Sequence, residues 1–473
     1  MNSQILSMMR LIVAFFGTRL ALFGALFGLG VGLFPDEAQY WTWSRELSYG
    51  YYSKPLGISY QIAAGCAFFN STEFGVRFFS MILSLGLCLG IFFLLRKARV
   101  KTSFAMIGAL AFQFSPFGVC SSFIATTDCG FVFFLTCATV TFCSELQKAK
   151  QRFIITGILI AIGVFWKWTI LLFWIPCLLF SLITKKCRVT DILIGALISL
   201  LGLIPSLIWN IQHNFASLWH VTKSINVVEQ GNSSNLLDFL LAQVGLFSPV
   251  LFILIFIALF IFLKDWKKQD TETQFFALSF TTLFSIVLVV AACKKIPGNW
   301  AVVSFPFAFA LLGKGLEKFS SRYCLFVKVG IFVSVLMVAG VFGFLHYAKH
   351  HLVPFRKIPF KEGLGWNKLG PGLEDLEAYV ESEFLFSDTY QGTSIASFYG
   401  PTQKRAYFFN IHGLRKNQFC FWPTMKDNEY KNNGLFITFI DGERLLDRVK
   451  IVTKERKKIL SKYFRKVISL GHI

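Results

Sequence analysis

Charged residues are scarce in this chain of 473 residues. Asp, Glu, Lys and Arg together make up 15% of it, whereas hydrophobic residues make up 55% and aromatic residues 17%. Soluble globular domains carry about a quarter charged residues, so this composition excludes an ordinary soluble fold. Apolar runs of roughly 20 residues, the length that a helix needs to cross a bilayer, recur along the chain. The sequence therefore predicts a polytopic all-α membrane protein.

Acidic residues are scarcer than basic ones. The chain has 26 Asp and Glu against 47 Lys and Arg, which gives a net charge of +21. Such a balance can indicate a nucleic-acid partner. The basic residues are grouped between apolar runs, however, as they are in the cytoplasmic loops of membrane proteins. We therefore expect membrane lipids as partners and no nucleic acid.

Eleven apolar segments are predicted to be transmembrane helices. They are 11–34, 74–95, 102–119, 127–146, 152–166, 168–184, 190–210, 237–263, 274–293, 300–316 and 323–345. With eleven spans, five basic clusters fall on one side of the membrane, which the positive-inside rule identifies as the cytoplasm. These clusters are 96–101, 148–152, 184–188, 264–268 and 314–322. The first apolar run lacks a small-residue cleavage site, so we expect a retained span with a cytoplasmic N-terminus.

Cysteine is nearly absent from the polar C-terminal part of the chain. Only Cys420 of the eleven cysteines follows residue 345, which excludes a disulfide framework and a zinc site of Cys ligands there. In the same part, apolar runs shrink to strand length at 384–390, 405–410 and 434–440, with helix-like pieces before and between them. We expect a small α/β domain outside the cytoplasm. The predicted domains are a bundle over 1–345, with an outer active-site loop at 35–73, and the α/β domain over 346–473.

Carboxylates stand out on the predicted outer face. Asp36 and Glu37 follow the first span and, being adjacent, point in different directions. A carboxylate at a membrane exit costs free energy unless it faces a cavity or a partner, which favours a functional site. The alternative is a helix start, because "PDEA" places acidic residues in a first turn. Asp128 opens an apolar span and allows the same two interpretations, a site residue or a helix cap.

Basic and aromatic residues accompany these carboxylates. Lys54 lies in "YSKPLG" and Lys167 in "FWKWT". A lysine at a lipid interface suits an anionic phosphate group, although snorkelling to headgroups is the alternative. The aromatic residues around them fit both an interface anchor and stacking on a sugar ring.

Several segments in a fixed order carry a resemblance to a known family. They include "PDEAQYWTWSREL", "GYYSKPLGISY", "ATTDCGFVFF", "WKWTILLF", "PSLIWNIQHNFAS", "KKIPGNWAVVSFP" and, in the tail, "DTYQGTSIASFYG". In these segments the chain resembles the bacterial dolichyl-phosphate-mannose protein mannosyltransferase-like family, which includes transferases that move aminoarabinose onto lipid A. The resemblance covers nearly the whole chain. It implies a C-type glycosyltransferase fold with an outward-facing active site, and a sugar donor carried on a polyprenyl phosphate.

The resemblance also implies roles for individual residues. Asp36 is the main catalytic carboxylate, with Glu37 beside it and Asp128 as a second acidic residue. Lys54 and Lys167 contact the donor phosphate. The implied cavity-lining residues are Tyr40, Trp41, His213, Asn299 and Trp300. Aminoarabinose transferases have a Glu directly before the Lys-Pro step, where this chain has Ser53. The difference disfavours a divalent metal and that particular substrate, and no cofactor is assigned.

The expected reaction is a single displacement that inverts the anomeric carbon. A polyprenyl phosphate leaves without protonation, so the lysines would stabilise its charge and Asp36 would take the acceptor's proton. The predicted function is transfer of a sugar to a lipid A, glycan or protein acceptor at the outer face of the bacterial inner membrane. A secondary transporter, for which mid-bilayer charges and repeated halves are typical, and a non-catalytic envelope-assembly subunit are the open alternatives.

Overall fold

The structure, a computed structural model, describes most of the chain. The described residues are 3–145, 151–226 and 235–438, except 352, 355–356, 411–412, 414–416 and 430–431. Part of the basic cluster at 148–152 and the end of the predicted C-terminal domain, residues 439–473, lie outside this range. The chain is mostly helical.

The α-helices and 3₁₀-helices have the following bounds. The α-helices are α1 (Ser3–Gly28), α2 (Pro35–Ser44), α3 (Gly57–Phe69), α4 (Glu73–Lys97), α5 (Thr102–Phe114), α6 (Pro116–Phe123), α7 (Thr127–Glu145), α8 (Gln151–Val164), α9 (Trp174–Thr184), α10 (Val189–Leu200), α11 (Ile204–Gln212), α12 (Ala216–Asn226), α13 (Asn235–Phe247), α14 (Pro249–Lys264), α15 (Thr271–Cys293), α16 (Phe305–Lys318), α17 (Ser321–His350), α18 (Leu369–Glu374), α19 (Glu377–Val380), α20 (Tyr390–Tyr399) and α21 (Met425–Asn428). The 3₁₀-helices are Trp168–Phe173, Leu201–Leu203, Trp266–Lys268, Gly298–Ser304, Lys361–Gly363, Trp366–Lys368 and Gln418–Phe421.

The described helices include seven that are long and apolar enough to cross a membrane, or up to nine if each of two bent pairs is one span. The seven are Gln4–Gly28, Glu73–Lys97, Thr127–Ser144, Val189–Gln212, Thr271–Cys293, Gly298–Lys318 and Ser321–His350. The other two of the eleven predicted spans correspond to shorter apolar helices, Gln151–Val164 and Trp168–Thr184. A helix of 14 residues such as α8 rises only about 21 Å, less than the bilayer core. The chain is a multi-span membrane protein.

Proline causes both bends. Pro116 begins α6 and Pro249 begins α14, and the two helix pairs bend by 62° and 101° at these positions. Proline has no N–H to continue the helix, so carbonyl oxygens of the preceding turn lose their partners. Arg19 on α1 is fully buried and donates to one carbonyl oxygen on each side of Pro116, those of Gln113 at 2.5 Å and Gly118 at 3.2 Å. A buried charge thus supplies hydrogen-bond donors at the break.

Contacts divide the described residues into two compact units. The first consists of Met1–Phe23 and Leu47–Gly340, and the second of Gly24–Glu46 and Val341–Ile473. Residues 24–46, which we assigned to the bundle from the sequence, group with the C-terminal residues in this division. Backbone hydrogen bonds account for the grouping, since Gly32 N donates to Gly363 O at 2.7 Å and Gly365 N donates to Gly30 O at 3.1 Å.

Phenylalanine dominates the core of the first unit. Its buried cluster draws side chains from most of the long helices, and Phe275, for example, contacts Phe142, Phe173 and Phe180. Such rings bury large apolar areas. Phe275 is stacked on Phe142 and meets Phe173 and Phe180 edge to face.

The second unit contains a three-stranded parallel sheet. Its strands are β1 (Phe384–Ser387), β2 (Tyr407–Phe408) and β3 (Gly434–Phe436), in the order β2–β1–β3. Phe386 of the central strand pairs with Tyr407 on one side and Phe436 on the other. Each predicted strand segment contains one of these strands, and α20 connects β1 to β2.

Candidate functional site

The adjacent carboxylates of Asp36 and Glu37 lie in different environments in the first turn of helix α2. Pro35 begins the helix, and the Glu37 side chain folds back so that its Oε2 accepts from the Phe34 amide at 2.9 Å. Glu37 is fully buried, whereas Asp36 is exposed. The helix-start interpretation therefore describes Glu37, and Asp36 is the carboxylate that solvent reaches.

Tyr390 contacts the exposed carboxylate. Its hydroxyl donates to Asp36 Oδ1 at 3.3 Å, and both residues belong to the second unit. Burial raises the pKa of Tyr390, and the charge of Asp36 raises it further. The phenol therefore stays protonated at neutral pH and donates the hydrogen bond to Asp36. The sequence analysis did not single out Tyr390, although it lies in the quoted segment "DTYQGTSIASFYG".

The aromatic residues that follow on α2 are packing residues in this structure. Tyr40 is 6% exposed and its ring centroid lies 5.0 Å from that of Trp43. Trp41 is 1% exposed, and its ring packs edge to face with that of Phe398, with ring centroids 5.0 Å apart. That these two residues line a cavity stays a prediction.

Asp128, Lys167 and Asn299 lie together within the first unit. The Asp128 carboxylate is at the start of α7, with one oxygen 2.7 Å from Lys167 Nζ. Its other oxygen accepts from Asn299 Nδ2 at 2.5 Å. The side chains of Asp128 and Lys167 are only 7% and 17% exposed. The positive charge of Lys167 is thus compensated by a protein carboxylate, a pairing that the sequence analysis did not anticipate.

A buried hydrogen-bond chain holds the segment that carries Lys167. Trp166 Nε1 donates to Gln61 Oε1 at 2.8 Å, and Gln61 Nε2 donates to Ser80 Oγ at 2.8 Å. Gly130 leaves room for the indole, because a Cβ there would lie 2.4 Å from Trp166 Nε1. The Gly57 amide also donates to Phe165 O at 2.6 Å. The only sequence signal for this support is an isolated glutamine in the apolar helix α3.

Lys54 lies in a tight turn of the first unit. Tyr51 N donates to Lys54 O at 3.1 Å, and the Lys54 side chain is half-buried. Burial lowers the pKa of His220, and the positive charge of Lys54 lowers it further. The His220 ring lies 4.7 Å from that of Tyr52. The charged form of His220, a residue not predicted from the sequence, is therefore disfavoured in the neighbourhood of Lys54.

The remaining predicted residues have aromatic or cationic neighbours. His213 stacks on Trp209 with ring centroids 4.1 Å apart, and its Nδ1 lies 2.8 Å from Trp209 O. Trp300 is 37% exposed, and Lys294 Nζ lies 5.2 Å from its ring centroid. Both aromatic surfaces are therefore already in contact with protein groups.

A metal site finds no support in these residues. Among the described residues, no group of three or more His, Cys, Asp or Glu side chains is arranged to hold a metal ion. The position before Lys54 carries Ser53, whose hydroxyl is a poor substitute for a carboxylate ligand. We derive no step through a metal.

Comparison with known proteins finds a family model that matches part of the chain and one relative. A sequence model described as dolichyl-phosphate-mannose-protein mannosyltransferase matches residues 53–209. The chain is 26% identical over 285 residues to the lipid A galacturonosyltransferase RgtD of Rhizobium johnstonii (strain DSM 114642 / LMG 32736 / 3841). That match covers 58% of this chain and 58% of RgtD, so less than two thirds of the relative's length is matched.

Two solved structures show a similar fold. The crystal structure of ArnT from Cupriavidus metallidurans bound to undecaprenyl phosphate superposes with a TM-score of 0.62 and 14% identity, covering 87% of both chains. The apo crystal structure of the same protein gives a TM-score of 0.59 over the same share. At this identity the likeness shows the fold. The matched segment and the relative confirm the predicted resemblance of this chain to the dolichyl-phosphate-mannose-protein mannosyltransferase family.

Proposed function

We propose that this chain is a membrane glycosyltransferase that moves a sugar from a polyprenyl phosphate to a lipid A, glycan or protein acceptor. The observation that carries the proposal is the 26% identity to a lipid A galacturonosyltransferase over 285 residues. The crystal structure of ArnT, which has a similar fold, holds undecaprenyl phosphate, and this supports a polyprenyl phosphate as the sugar carrier. Lipid A is the proposed first acceptor and galacturonic acid the proposed first sugar, because the name of that relative, the lipid A galacturonosyltransferase, gives both.

Asp36 is the proposed base of the reaction. The acceptor hydroxyl gives its proton to the Asp36 carboxylate while its oxygen forms a bond to the anomeric carbon. The bond from that carbon to the phosphate oxygen breaks, and the phosphate leaves with the electron pair, so the configuration inverts. The exposure of Asp36 supports this choice, because Glu37 is buried and already caps α2. A positioned base contributes on the order of a hundredfold or more.

Lys54 is the proposed main contact of the donor phosphate. Its charge stabilises the phosphate as negative charge develops during bond cleavage. Lys167 is the second proposed contact of the phosphate. Its ion pair with Asp128 compensates its charge and would weaken this contact. Asp128 and Asn299 are proposed to hold Lys167 in a fixed direction.

The proposed location is the bacterial inner membrane. The N-terminus would be cytoplasmic and the second unit extracytoplasmic, which follows from the basic clusters between predicted spans. A polyprenyl-phosphate sugar would then be used at the outer leaflet.

Mass spectrometry of the cell envelope tests the proposal. Lipid A, glycans and envelope proteins are compared between cells with and without the gene, and between cells complemented with the wild-type chain or with Asp36→Asn. We expect one acceptor to lose the mass of a single sugar on deletion and to regain it only with the wild-type chain. Identical envelope profiles with and without the gene would overturn the proposal.

A further inference from the structure

The hydrogen bond between Tyr390 and Asp36 joins residues that are far apart in the chain. Tyr390 begins α20, and Asp36 lies in the first turn of α2. The phenol oxygen is 3.3 Å from Asp36 Oδ1. We propose that Tyr390 is a positioning residue of the transferase, which orients the Asp36 carboxylate for proton transfer from the acceptor. The inference rests on the proposed function, because it assumes Asp36 as the base.

Neighbouring contacts fix the place of Tyr390. Thr389 caps α20 by accepting from the Gly392 amide at 3.1 Å. At the other end of the same helix, the Leu33 amide donates to the Tyr399 hydroxyl at 2.6 Å. Both ends of α20 are thus hydrogen-bonded to the start of α2 or to the residues just before it, and Tyr390 approaches Asp36 from a rigid support.

An exposed aspartate needs such a partner. The short Asp36 side chain is open to solvent, so several rotamers are accessible to it. The hydrogen bond from Tyr390 to Oδ1 restricts that freedom. Holding a catalytic group in its reactive orientation can lower the barrier of the reaction substantially. Tyr390 itself does not serve as the base, because burial first, and then the charges of Asp36 and Glu362, raise its pKa and keep it protonated.

A merely structural bond makes a different prediction. If the phenol only ties α20 to α2, its removal lowers stability and leaves the turnover of folded molecules unchanged. Tyr407 offers a matched control in the same unit, because its hydroxyl donates to Glu429 Oε1 at 3.0 Å. Tyr407→Phe removes a phenol–carboxylate bond that has no part in the proposed reaction.

The experiment compares four full-length proteins: wild type, Tyr390→Phe, Tyr407→Phe and Asp36→Asn. The donor is radiolabelled undecaprenyl-phosphate galacturonic acid and the acceptor is lipid A, and kcat, donor KM and thermal unfolding are measured for each. We expect Tyr390→Phe to lower kcat about tenfold, the value of a charge-assisted hydrogen bond, with donor KM nearly unchanged. Tyr407→Phe, which removes the bonds to Glu429 and Asn428, should lower stability without changing kcat.

The outcomes separate the inference from the proposed function. Wild-type kcat in Tyr390→Phe, with Asp36→Asn inactive, overturns the inference alone. A loss in Tyr390→Phe that disappears when kcat is expressed per folded molecule also overturns it. An inactive wild-type chain contradicts the proposed function, and activity in Asp36→Asn contradicts the role of Asp36. The inference falls in both of those cases.

Discussion

Asp36 and Glu37 are neighbours on α2, but their side chains have different surroundings. Asp36 points to solvent and accepts a hydrogen bond from Tyr390, whereas Glu37 is buried and closes the first turn of its own helix. The sequence offers both residues as catalytic carboxylates. The geometry supports Asp36 for chemistry and Glu37 for stability.

Substitutions at these two positions should therefore separate stability from activity. Glu37→Ala leaves the Phe34 amide without its acceptor inside the protein, which costs roughly 2 kcal/mol of unfolding free energy. Glu37→Gln keeps an acceptor oxygen and should remain close to wild type in both melting temperature and transfer. Asp36→Ala should lower the melting temperature less than Glu37→Ala does, because the Asp36 side chain is exposed. Thermal unfolding in detergent measures all three. An Asp36→Ala protein less stable than Glu37→Ala would contradict this assignment.

Substitutions of Lys54 and Lys167 should likewise separate activity from stability. Lys167→Met leaves the Asp128 carboxylate buried without its cation and should cost roughly 3 kcal/mol of unfolding free energy. Adding Asp128→Asn should recover part of that loss, as expected for coupled residues. Lys54→Ala should raise donor KM about tenfold. Lys295→Ala, an exposed lysine, is the control. Equal donor KM in Lys54→Ala and the control would exclude Lys54 as the phosphate contact.

At the scale of elements, close contact between α7 and the segment after α8 sets the direction of Lys167. Gly130 on α7 faces the Trp166 indole, which is held in turn by Gln61. This contact places a helix start, an aromatic ring and a lysine in one fixed arrangement.

Gly130→Ala should disturb that arrangement. The added methyl group would lie 2.4 Å from Trp166 Nε1, so the ring must move. We expect a loss of about 2 kcal/mol in unfolding free energy from overpacking, together with reduced transfer. Gly17→Ala is a matched control on α1, because nothing lies within 4 Å of its Cβ position. Equal melting temperatures for the two variants would show that the indole is not held as described.

The sequence predicts helix positions well where an apolar run is uninterrupted. The span predicted at 74–95 is found as Glu73–Lys97, and that at 323–345 as Ser321–His350. It predicts less where local chemistry overrides hydropathy. The predicted span at 102–119 is a bent pair, because Pro116 ends one helix and starts another. The predicted loop at 35–73 contains α2 and α3.

Contacts between distant residues were beyond the sequence. It named Asp128, Lys167 and Asn299 as separate site residues, but the two bonds that join them span 39 and 171 positions. Their pairing depends on how α7 packs against the 3₁₀-helix Gly298–Ser304. Periodicity and composition do not predict such packing. They also do not predict the hydrogen bond between Tyr390 and Asp36.

For the whole molecule, orientation in the membrane is the first property to test. A reporter enzyme that is active only outside the cytoplasm should be active when it is fused after residue 346. It should be inactive when fused within 264–268, a basic cluster expected in the cytoplasm. Fusion within 96–101 is a second cytoplasmic control. The reverse pattern would place the second unit in the cytoplasm and would contradict a reaction at the outer leaflet.

Transfer by the purified chain tests the central claim most directly. Wild type and Asp36→Asn are reconstituted in lipid vesicles with radiolabelled undecaprenyl-phosphate galacturonic acid and lipid A, and label in the acceptor is counted over time. Asn keeps the size of Asp36 but cannot take the proton. The account predicts transfer by the wild-type chain, a loss of at least about a hundredfold in Asp36→Asn, and equal donor binding by both. Label that reaches lipid A at the same rate with Asp36→Asn, or not at all with the wild-type chain, would contradict it.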